Sequence, residues 1–556
     1  MLSTGMYPCP AVQRWEDAHS CLLSALTSYM DTCTNLKNSS LAELATNVED
    51  LVPRIERHIT SLGSFVACQV SQTCSILSTT RNRLVSLAYG LPEEVLVEIF
   101  AQVIYDPTGD EHRQQHPSLD QDLRSIYRRL YNLIGVCSSW RNIAIRKRSF
   151  WSIVPIIDKC ECSGLPLEDV TERSLRRSSG AGLYIAANSS LRLPVLLRPL
   201  ISYGKRIWAL NIKTDSLRTL EEVVSILAVF FSPKTLSELS MYLNSTPTFE
   251  SSKVIKQPVQ HQERLKAILG SLRTLRMRIV LVELHDISFT NLVELRLENI
   301  CYKPVSKWLL RVISSAPNLQ YLRLVSLTSC LIPGIGPADP TEANKLSISL
   351  PKLKVVYLSD LYYNDLRSIF ESFVPGNEKW ILSLGDCCQW RNDLNSYQSH
   401  TAQDLGLLLQ RFNVETLRLS GLSENWLGGP QLSQLLKAVP NVTTLKMDRW
   451  DFHREHWEAL TLQQGSRGAK SAGFPSIHNF HIYNSQIFDE QGVQAVVSSH
   501  NIQQLRLGGV LHGRDGNAIT DKDNIAVWLA SNVPNFCLMG SQYSLREFPP
   551  EDWRLW

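Results

Sequence analysis

The residues best suited to metal binding are four closely spaced pairs of cysteine or histidine. The pairs are Cys160 with Cys162, Cys387 with Cys388, His112 with His116, and His453 with His456. Structural zinc normally takes four such ligands, and none of these pairs has a second matching pair at a credible distance. We therefore expect ordinary surface or packed side chains at these positions, and neither a metal nor another cofactor.

The sequence lacks the familiar catalytic motifs. It contains no phosphate-cradling glycine loop, nucleophile elbow or zinc-protease motif. Cys137 lies in an apolar string, where a small packing role suffices to explain a cysteine. We expect a protein that catalyses nothing itself. One alternative stays open, a composite site assembled in loops from residues such as His453, His456 and Cys387.

The elements that would position these residues belong to an ordinary globular chain. Its 556 residues are 44% hydrophobic and 20% charged, and the net charge of +3 favours neither a nucleic-acid nor a membrane partner. The 13 cysteines show no regular spacing, which favours reduced thiols in an intracellular compartment. The start shows no signal-peptide pattern, and the apolar run VVSILAVFF from Val223 is too short to span a bilayer. We expect a cytoplasmic or nuclear protein.

A helical leader is predicted for residues 1–90. Apolar residues recur there at gaps of three and four, in a stripe through Leu41, Leu44, Val48, Leu51, Ile55, Ile59 and Leu62. Pro53 lies inside the stripe and should kink or interrupt the helix. Because such a stripe normally packs against another helix, we expect a coiled-coil-like hairpin.

A second helical block spans residues 91–157. In its first string, LPEEVLVEIF, Pro92 suits a first helical turn, and Glu93 and Glu94 place negative charge at the positive end of the helix dipole. The string VCSSWRNIA, from Val136, indicates a further helix that is apolar on more than one side. A short module cannot bury that much apolar surface alone, so we expect this block to bind a partner.

These strings resemble an F-box. The resemblance covers Leu91 to about Trp151 and rests on LP, IF, VC-x-x-WR and the tryptophan of RKRSFW. It implies docking on a Skp-type adaptor, which ties an F-box protein to a cullin-RING ubiquitin ligase. Carried over residue by residue, it assigns adaptor contact to Leu91, Pro92, Val95, Leu96, Ile99, Val136, Cys137 and Trp140. The chain departs from the family by an inserted segment near 106–122, which should form a loop. The flanking sequence also resembles the large fungal F-box group.

The rest of the chain repeats the pattern L-x-x-L-x-L. Its ten instances start at Ile207, Leu236, Leu272, Leu292, Leu319, Leu353, Val414, Val442, Ile477 and Ile502. Most adjacent starts lie roughly twenty to thirty-five residues apart, and helix-like segments such as LSQLLKAVPNV stand between them. The array resembles a leucine-rich repeat with irregular insertions.

The predicted fold class is α/β. An N-terminal helical hairpin and the F-box helices precede an irregular leucine-rich-repeat solenoid, with parallel strands on the concave face and helices on the convex face. The predicted boundaries are a leader at 1–90, an F-box at 91–157, a polar linker at 158–180, a solenoid at 181–545 and a tail at 546–556.

The repeats depart from the leucine-rich-repeat pattern where asparagine is usual. That position holds Asn244 in one repeat and apolar residues in others, namely Ile300, Leu327, Leu361, Leu422, Trp450 and Val510. Because the asparagine would satisfy buried backbone groups at the turn after the strand, its loss predicts a less regular solenoid.

The fifth position of each repeat predicts a binding surface, since its side chain should point away from the core. The position holds Asn211, Ser240, Arg276, Arg296, Arg323, Tyr357, Arg418, Lys446, His481 and Arg506. The eight residues from Arg276 onward are the candidate substrate-binding set. Their six arginines and lysines would favour an acidic or phosphorylated partner. Alternatively, these cations pair with nearby acids such as Glu294, Glu298 and Asp448 and keep the sheet soluble.

Together these features predict the substrate receptor of an SCF-type cullin-RING ubiquitin ligase. The expected partners are a Skp-type adaptor, a cullin and a protein substrate of unknown identity, with no nucleic acid and no membrane. An alternative is a scaffold that uses the same repeats to bind proteins without any ligase.

Overall fold

The chain was analysed as a computed structural model. It describes residues 9–40, 48–105, 119–157, 167–188, 193–244, 253–255, 259–282, 287–302, 305–329, 347–391, 399–421, 426–462, 473–512 and 518–539. Several predicted features lie outside the described residues, namely Leu41, Leu44, His112, His116, Cys160, Cys162, Leu422, most of the inserted segment and the tail at 546–556. The chain divides into two compact units, Met1–Leu96 and Val97–Trp556.

The first unit contains the predicted leader helices. They are Pro10–Asn38, Val48–Ser61 and Ala67–Val85, with a π-helical turn at Leu62–Val66 and a 3-10 turn at Leu87–Gly90. Helix Val48–Ser61 runs through Pro53, so of the two predicted effects of that proline the interruption does not occur. Ile55, Ile59 and Leu62 are exposed by 38%, 64% and 39%, so this part of the apolar stripe faces solvent.

The π-helical turn keeps the exposed stripe continuous. Leu62 and Val70 are eight residues apart, whereas Val70, Leu77 and Leu84 follow at the seven-residue spacing of a heptad. A π-turn holds one extra residue, which compensates for the longer interval. Val70, Leu77 and Leu84 therefore continue the stripe, and all three are exposed.

Helices also form the block that was predicted from residue 91. They are Glu93–Tyr105, Leu119–Val136 and Ser138–Arg146, followed by a 3-10 turn at Arg148–Trp151. Since helix Leu119–Val136 begins at Leu119, the end of the predicted loop at 119–122 is helical. Trp151 is fully buried, and its indole N–H donates to the carbonyl of Ala144 at 2.9 Å.

The second unit is built on one 15-stranded parallel sheet with two small two-stranded sheets beside it. The strands are β1 (Ile153–Ile157), β2 (Leu183–Asn188), β3 (Ile207–Thr214), β4 (Glu238–Leu243), β5 (Lys253–Ile255), β6 (Thr274–Arg278), β7 (Val280–Val282), β8 (Glu294–Glu298), β9 (Cys301–Tyr302), β10 (Tyr321–Val325), β11 (Thr328–Ser329), β12 (Val355–Ser359), β13 (Lys379–Leu384), β14 (Val414–Ser420), β15 (Thr444–Asp448), β16 (Asp451–Phe452), β17 (Asn479–Ile487), β18 (Gln504–Leu511) and β19 (Asn535–Leu538). All ten predicted repeat strands are confirmed.

Helices alternate with these strands. They are Leu167–Arg177, Leu193–Tyr203, Leu217–Phe230, Val259–Gly270, Val305–Ser314, Tyr363–Ser372, Ala402–Leu409, Gly429–Ala438, Arg454–Leu460, Glu490–Ser499 and Asn524–Asn532. The core lies between the strands and the helices, where Leu210 and Leu239 of the sheet join Val223 and Leu227 of a helix in one buried cluster. Two predicted boundaries differ from this arrangement. The sheet begins at β1, inside the predicted F-box, and a helix occupies much of the predicted linker at 158–180.

Backbone hydrogen bonds between neighbouring repeats, here called the backbone ladder, satisfy the turns in which asparagine is absent. A left-handed conformation occurs in six repeats, directly after the strand at Ile279, Asn299, Ser326, Asp360 and Arg449, and inside β17 at Asn484. In five of these turns the N–H donates to the carbonyl of a residue on the next main strand. For example, Asn299 donates to Val325 and Ser326 to Ser359, both at 2.9 Å. The position that usually holds asparagine is buried at Ile300, and an apolar residue suits it because the turn already has its hydrogen bond.

Candidate functional site

The fifth-position side chains form two rows on the strand face, the side of the sheet opposite the helices. The N-terminal row runs through adjacent register partners Asn211, Ser240, Arg276, Arg296, Arg323 and Tyr357. The C-terminal row runs through Arg418, Lys446, His481 and Arg506. Side chains on either side of these positions, such as Leu295 and Leu297 around Arg296, are buried in the core.

The strand β13 separates the two rows and offsets one from the other. Tyr357 is the register partner of Ile381, whereas Arg418 is the partner of Ser383, two residues further along the same strand. The pairing of β13 with β14 also contains a register shift between Trp380 and Ile381. The C-terminal row is therefore displaced by two residues along the strand direction.

Acids surround the first arginine of the N-terminal row. Arg276 donates to both carboxylate oxygens of Glu294, at 2.8 Å and 2.7 Å, and lies 4.0 Å from Glu238. Burial raises the pKa of the Glu238 carboxyl, and the positive charge of Arg276 opposes that rise. Its ion pairs leave Arg276 little capacity to bind a separate anion.

The Glu298 carboxylate forms ion pairs with both of the next two arginines in the row. Glu298 lies 2.6 Å from Arg296 and 3.2 Å from Arg323, and its side chain is 7% exposed. The Arg323 guanidinium also lies over the ring of Tyr357, 4.9 Å from its centre. With the two acids around Arg276, three carboxylates face three guanidinium groups. Acid pairing therefore describes this row, and Arg278, the register partner of Glu298, adds a fourth guanidinium group to the same face.

The C-terminal row has a different balance of charge. Arg418 pairs with Asp448 at 2.8 Å, and Asn484 donates to the same carboxylate at 3.0 Å. Burial, together with the positive charges of Arg418 and Arg506, lowers the pKa of the Lys446 ammonium to about 8. Three cations thus lie in this row, with the carboxylates of Asp448 and Asp360 near Arg418.

His481 lies between Lys446 and Arg506 and is 6% exposed. Burial, together with the charges of its two cationic neighbours, lowers the pKa of its imidazole to about 3, so the ring is neutral at pH 7. Its Nδ1 lies 3.0 Å from the Tyr483 hydroxyl, and the Gln504 side chain also lies near the ring, although outside the ideal hydrogen-bond geometry to Nε2.

The residues that the F-box resemblance assigned to adaptor contact differ in exposure. Leu91, Val95, Ile99 and Val136 are exposed by 38%, 42%, 42% and 59%, whereas Leu96 is buried. Pro92, which is exposed, accepts a hydrogen bond from the Leu96 N–H at 3.1 Å, as expected at the start of a helix.

Cys137 and Trp140 have structural contacts. Cys137 lies just before helix Ser138–Arg146, where its Sγ accepts from the Trp140 N–H at 3.5 Å. The Trp140 ring is half-buried and packs on Phe100, with ring centres 4.8 Å apart. These contacts explain a cysteine at residue 137 through capping of the helix.

The cysteine and histidine pairs that can be placed show no catalytic or metal-binding arrangement. Burial raises the pKa of Cys387 to about 12 and that of Cys388 well above its usual value, which disfavours the reactive thiolate. The His456 ring caps its own helix by accepting from the His453 N–H at 3.2 Å. Among the described residues, no group of three histidine, cysteine or acidic side chains is placed to hold a metal ion. No described helix could cross a membrane.

One cysteine departs from the predicted reduced state. Cys301, on β9, forms a disulfide bond, so the prediction of reduced thiols is wrong at that residue. The free cysteines include Cys137, Cys387 and Cys388.

Sequence reasoning missed the residues that complete the C-terminal row. Tyr483 and Asn484 follow His481 on β17, and they supply hydrogen bonds to His481 and Asp448. The available signal was the alternation of strand side chains, which places the seventh residue of a repeat on the same face as the fifth. By that rule Tyr483 and Asp448 belong to the strand face.

Strand order, register and buried leucine positions define a solenoid of leucine-rich-repeat type that follows N-terminal helices. The sequence matches no protein-family model and no curated protein. Among solved structures, the fold is similar to the leucine-rich repeat-containing protein LegL7 from Legionella pneumophila. That match has 13% identity and a TM-score of 0.25, and it covers 59% of this chain and 90% of the other.

Proposed function

We propose that this protein is the substrate receptor of an SCF-type cullin-RING ubiquitin ligase. In this proposal the F-box-like helices dock on a Skp-type adaptor, and the strand face of the solenoid holds a protein substrate. The receptor does no chemistry. It raises the effective concentration of a substrate lysine near the ubiquitin carrier that other subunits supply. We expect this work to take place in the cytoplasm or the nucleus.

One observation carries the proposal, a double apolar pattern on helix Glu93–Tyr105. Leu96, Phe100 and Ile104 recur at intervals of four and are buried. A second set, Val95, Ile99 and Val103, recurs at the same interval and is exposed by 42%, 42% and 45%. Single exposed apolar residues are common, but a stripe of three on one helix marks an interaction surface.

The test is co-purification of the full chain from cells that contain the adaptor and the cullin. Val95→Glu with Ile99→Glu should abolish recovery of both partners, because two carboxylates would be buried against the adaptor. The matched control is Gln102→Glu, which adds a negative charge to an exposed position of the same helix beside the stripe. It should leave recovery unchanged. Both partners would be scored by mass spectrometry.

The possible outcomes separate the proposal from its alternatives. Adaptor without cullin in the wild-type complex would favour a scaffold that works outside ubiquitin ligation. Recovery of neither partner with the wild type, or equal recovery with the double variant, would reject the F-box interpretation.

A further inference from the structure

An exposed apolar surface runs along the leader helices from Val52 to Leu84, and it is here called the leader stripe. Before the π-helical turn it consists of Val52, Ile55, Ile59 and Leu62, at gaps of three, four and three. After the turn it consists of Val70, Cys74, Leu77, Arg81 and Leu84, at gaps of four and three. Its aliphatic side chains are 38–83% exposed. Gaps that alternate between three and four define the a and d positions of a coiled coil.

The π-helical turn at Leu62–Val66 indicates that the leader stripe packs along its whole length. A heptad pattern with one residue too many would rotate the second half of the stripe away from the first. The turn absorbs the extra residue and keeps both halves on one side of the helix. A helix surrounded by water gains nothing from this alignment, whereas a helix that packs on one long partner requires it.

The first leader helix of the same chain does not cover this surface. Helix Pro10–Asn38 has no buried residue, and its apolar side chains Leu22, Leu26 and Tyr29 are 49%, 37% and 37% exposed. A continuous apolar surface is unfavourable in water and marks a site of interaction. The partner of the leader stripe is therefore another molecule.

The residue types of the leader stripe favour two parallel strands. Its a positions before the turn, Val52 and Ile59, are β-branched. Three of its five d positions are leucine, namely Leu62, Leu77 and Leu84. β-branched residues at a with leucine at d favour a parallel two-stranded coiled coil over larger assemblies.

The residues beside the stripe allow the second strand to be an identical helix. After the turn, the positions that flank the stripe hold Ser71, Thr73, Ser78 and Thr80, all exposed and uncharged. Two identical helices therefore meet there without repulsion between like charges. Arg81 is the one charged residue of the leader stripe, and a single polar residue at an a position fixes the register of two helices at a cost in stability.

The leader stripe is also large enough for a dimer. If each of its seven aliphatic side chains buries roughly 80 Å² more, two copies bury on the order of 1,100 Å² in total, which exceeds the roughly 1,000 Å² that a specific interface needs.

We infer that the leader stripe binds the leader stripe of a second copy of this chain, in a parallel two-stranded coiled coil. The inference is independent of the proposed function, because the adaptor is assigned to a different helix, Glu93–Tyr105. In the dimer Cys74, at an a position, faces Cys74 of the second copy, whereas Cys68 lies at an outward position of the same helix. A dimer carries two solenoids and can bind two copies of a partner.

Sedimentation velocity of the full chain over a series of concentrations tests the dimer. We expect twice the chain mass of 62.9 kDa. Leu77→Glu should raise the Kd of the dimer at least hundredfold, because it would bury two carboxylates in the interface. The matched control is Ile76→Glu, at a neighbouring residue that is 65% exposed and lies off the stripe, and it should change the Kd less than threefold. Circular dichroism confirms that both variants keep their helices.

Two results of this experiment would overturn the inference. One is a wild-type chain that stays monomeric at every concentration, which would mean that the chain covers its own stripe. The other is an equal effect of Leu77→Glu and Ile76→Glu, which would mean that the leader stripe is not the interface.

A short bismaleimide cross-linker tests the parallel arrangement. Cys74 and Cys68 are both exposed, so the reagent reaches either thiol. Cys74→Ser should remove most of the cross-linked dimer, whereas the matched control Cys68→Ser should leave it unchanged. A cross-linked dimer that survives Cys74→Ser would reject parallel pairing in this register.

Discussion

Arg276 holds both carboxylate oxygens of Glu294 across the boundary between β6 and β8, at 2.8 Å and 2.7 Å. Two parallel hydrogen bonds of this kind fix both side chains as well as attracting opposite charges. At this end of the strand face the arginines connect neighbouring repeats. At the other end, the same strand position holds Lys446 between Arg418 and His481.

Arg276→Gln should destabilise the fold. The Arg276 side chain is 12% exposed, and its removal leaves Glu294 and Glu238 near each other without their shared cation. We expect a loss of about 2 kcal/mol in the free energy of unfolding, measured by urea denaturation. Arg218→Gln serves as the control, because Arg218 is 85% exposed and its pair with Glu222 should contribute less than about 1 kcal/mol. Equal losses in the two variants would contradict a structural role for Arg276.

Gly421→Ala should disrupt the turn between β14 and the next repeat. A Cβ at Gly421 would lie 2.1 Å from the carbonyl oxygen of Arg449, and backbone at this place has little room to shift. We expect a loss of about 2 kcal/mol or more, from overpacking and a weakened hydrogen bond from the Gly421 N–H to Asp448. Gly135→Ala is the matched control. No atom lies within 4 Å of its added Cβ, so it should be neutral or stabilising by up to about 1 kcal/mol.

Substitutions at Arg449 test the left-handed turns. Arg449 has a φ of 58° and an exposed side chain, so backbone conformation dominates the effect of a substitution. Arg449→Gly should stabilise the chain slightly or leave it unchanged, whereas Arg449→Val should cost about 1–2 kcal/mol because a β-branched side chain is strained there. Arg449→Ala controls for loss of the charge. Thermal melting ranks the three variants. A valine variant as stable as the glycine variant would argue against a left-handed backbone at Arg449.

Stability should fall as the pH drops below about 6.5, in part because of His481. Its pKa is lowered to about 3 in the folded chain, so between these values the unfolded chain takes up a proton that the folded chain excludes. The groups that face the ring are Lys446, Arg506, Tyr483 and Gln504, and both cations oppose protonation. We expect His481→Phe to reduce the slope of unfolding free energy against pH by about 1 kcal/mol per unit. The buried residues His456 and His500, whose pKa values are also lowered, should supply the remaining slope.

The repeat strands could be predicted because leucine spacing directly reflects burial. Leu295 and Leu297 occupy the core, and Arg296 between them occupies the other face, as the alternation of a strand requires. β13 could not be found in this way. Its repeat has Asn377 in place of the first leucine and Trp380 in place of the second, so the pattern is masked. Trp380 is fully buried against Phe370 and Phe412 and replaces the leucine by its volume.

The repeat pattern could not predict the charge balance of the strand face, because that balance depends on the register between neighbouring strands. The shift between Trp380 and Ile381 decides which residues of β13 and β14 are neighbours, and no local signal encodes it. Position within the repeat does not decide the side-chain pairing either. Glu298 and Asp448 are both seventh residues, yet Glu298 serves two arginines and Asp448 serves one arginine and an asparagine.

In the backbone ladder, each turn donates its hydrogen bond to a strand that comes later in the chain. This direction has a consequence while the chain is being synthesised. The Asn299 N–H can donate only when the carbonyl of Val325 is in place, and the Ser326 N–H needs the carbonyl of Ser359 in the same way. Each new repeat on the ribosome therefore leaves its own turn unbonded until the following strand emerges. Folding should advance from the N-terminal end with its boundary about one repeat behind the exit tunnel. A pause in translation would expose the turn of the most recently completed repeat, and its accessibility to proteases would mark how far assembly has progressed.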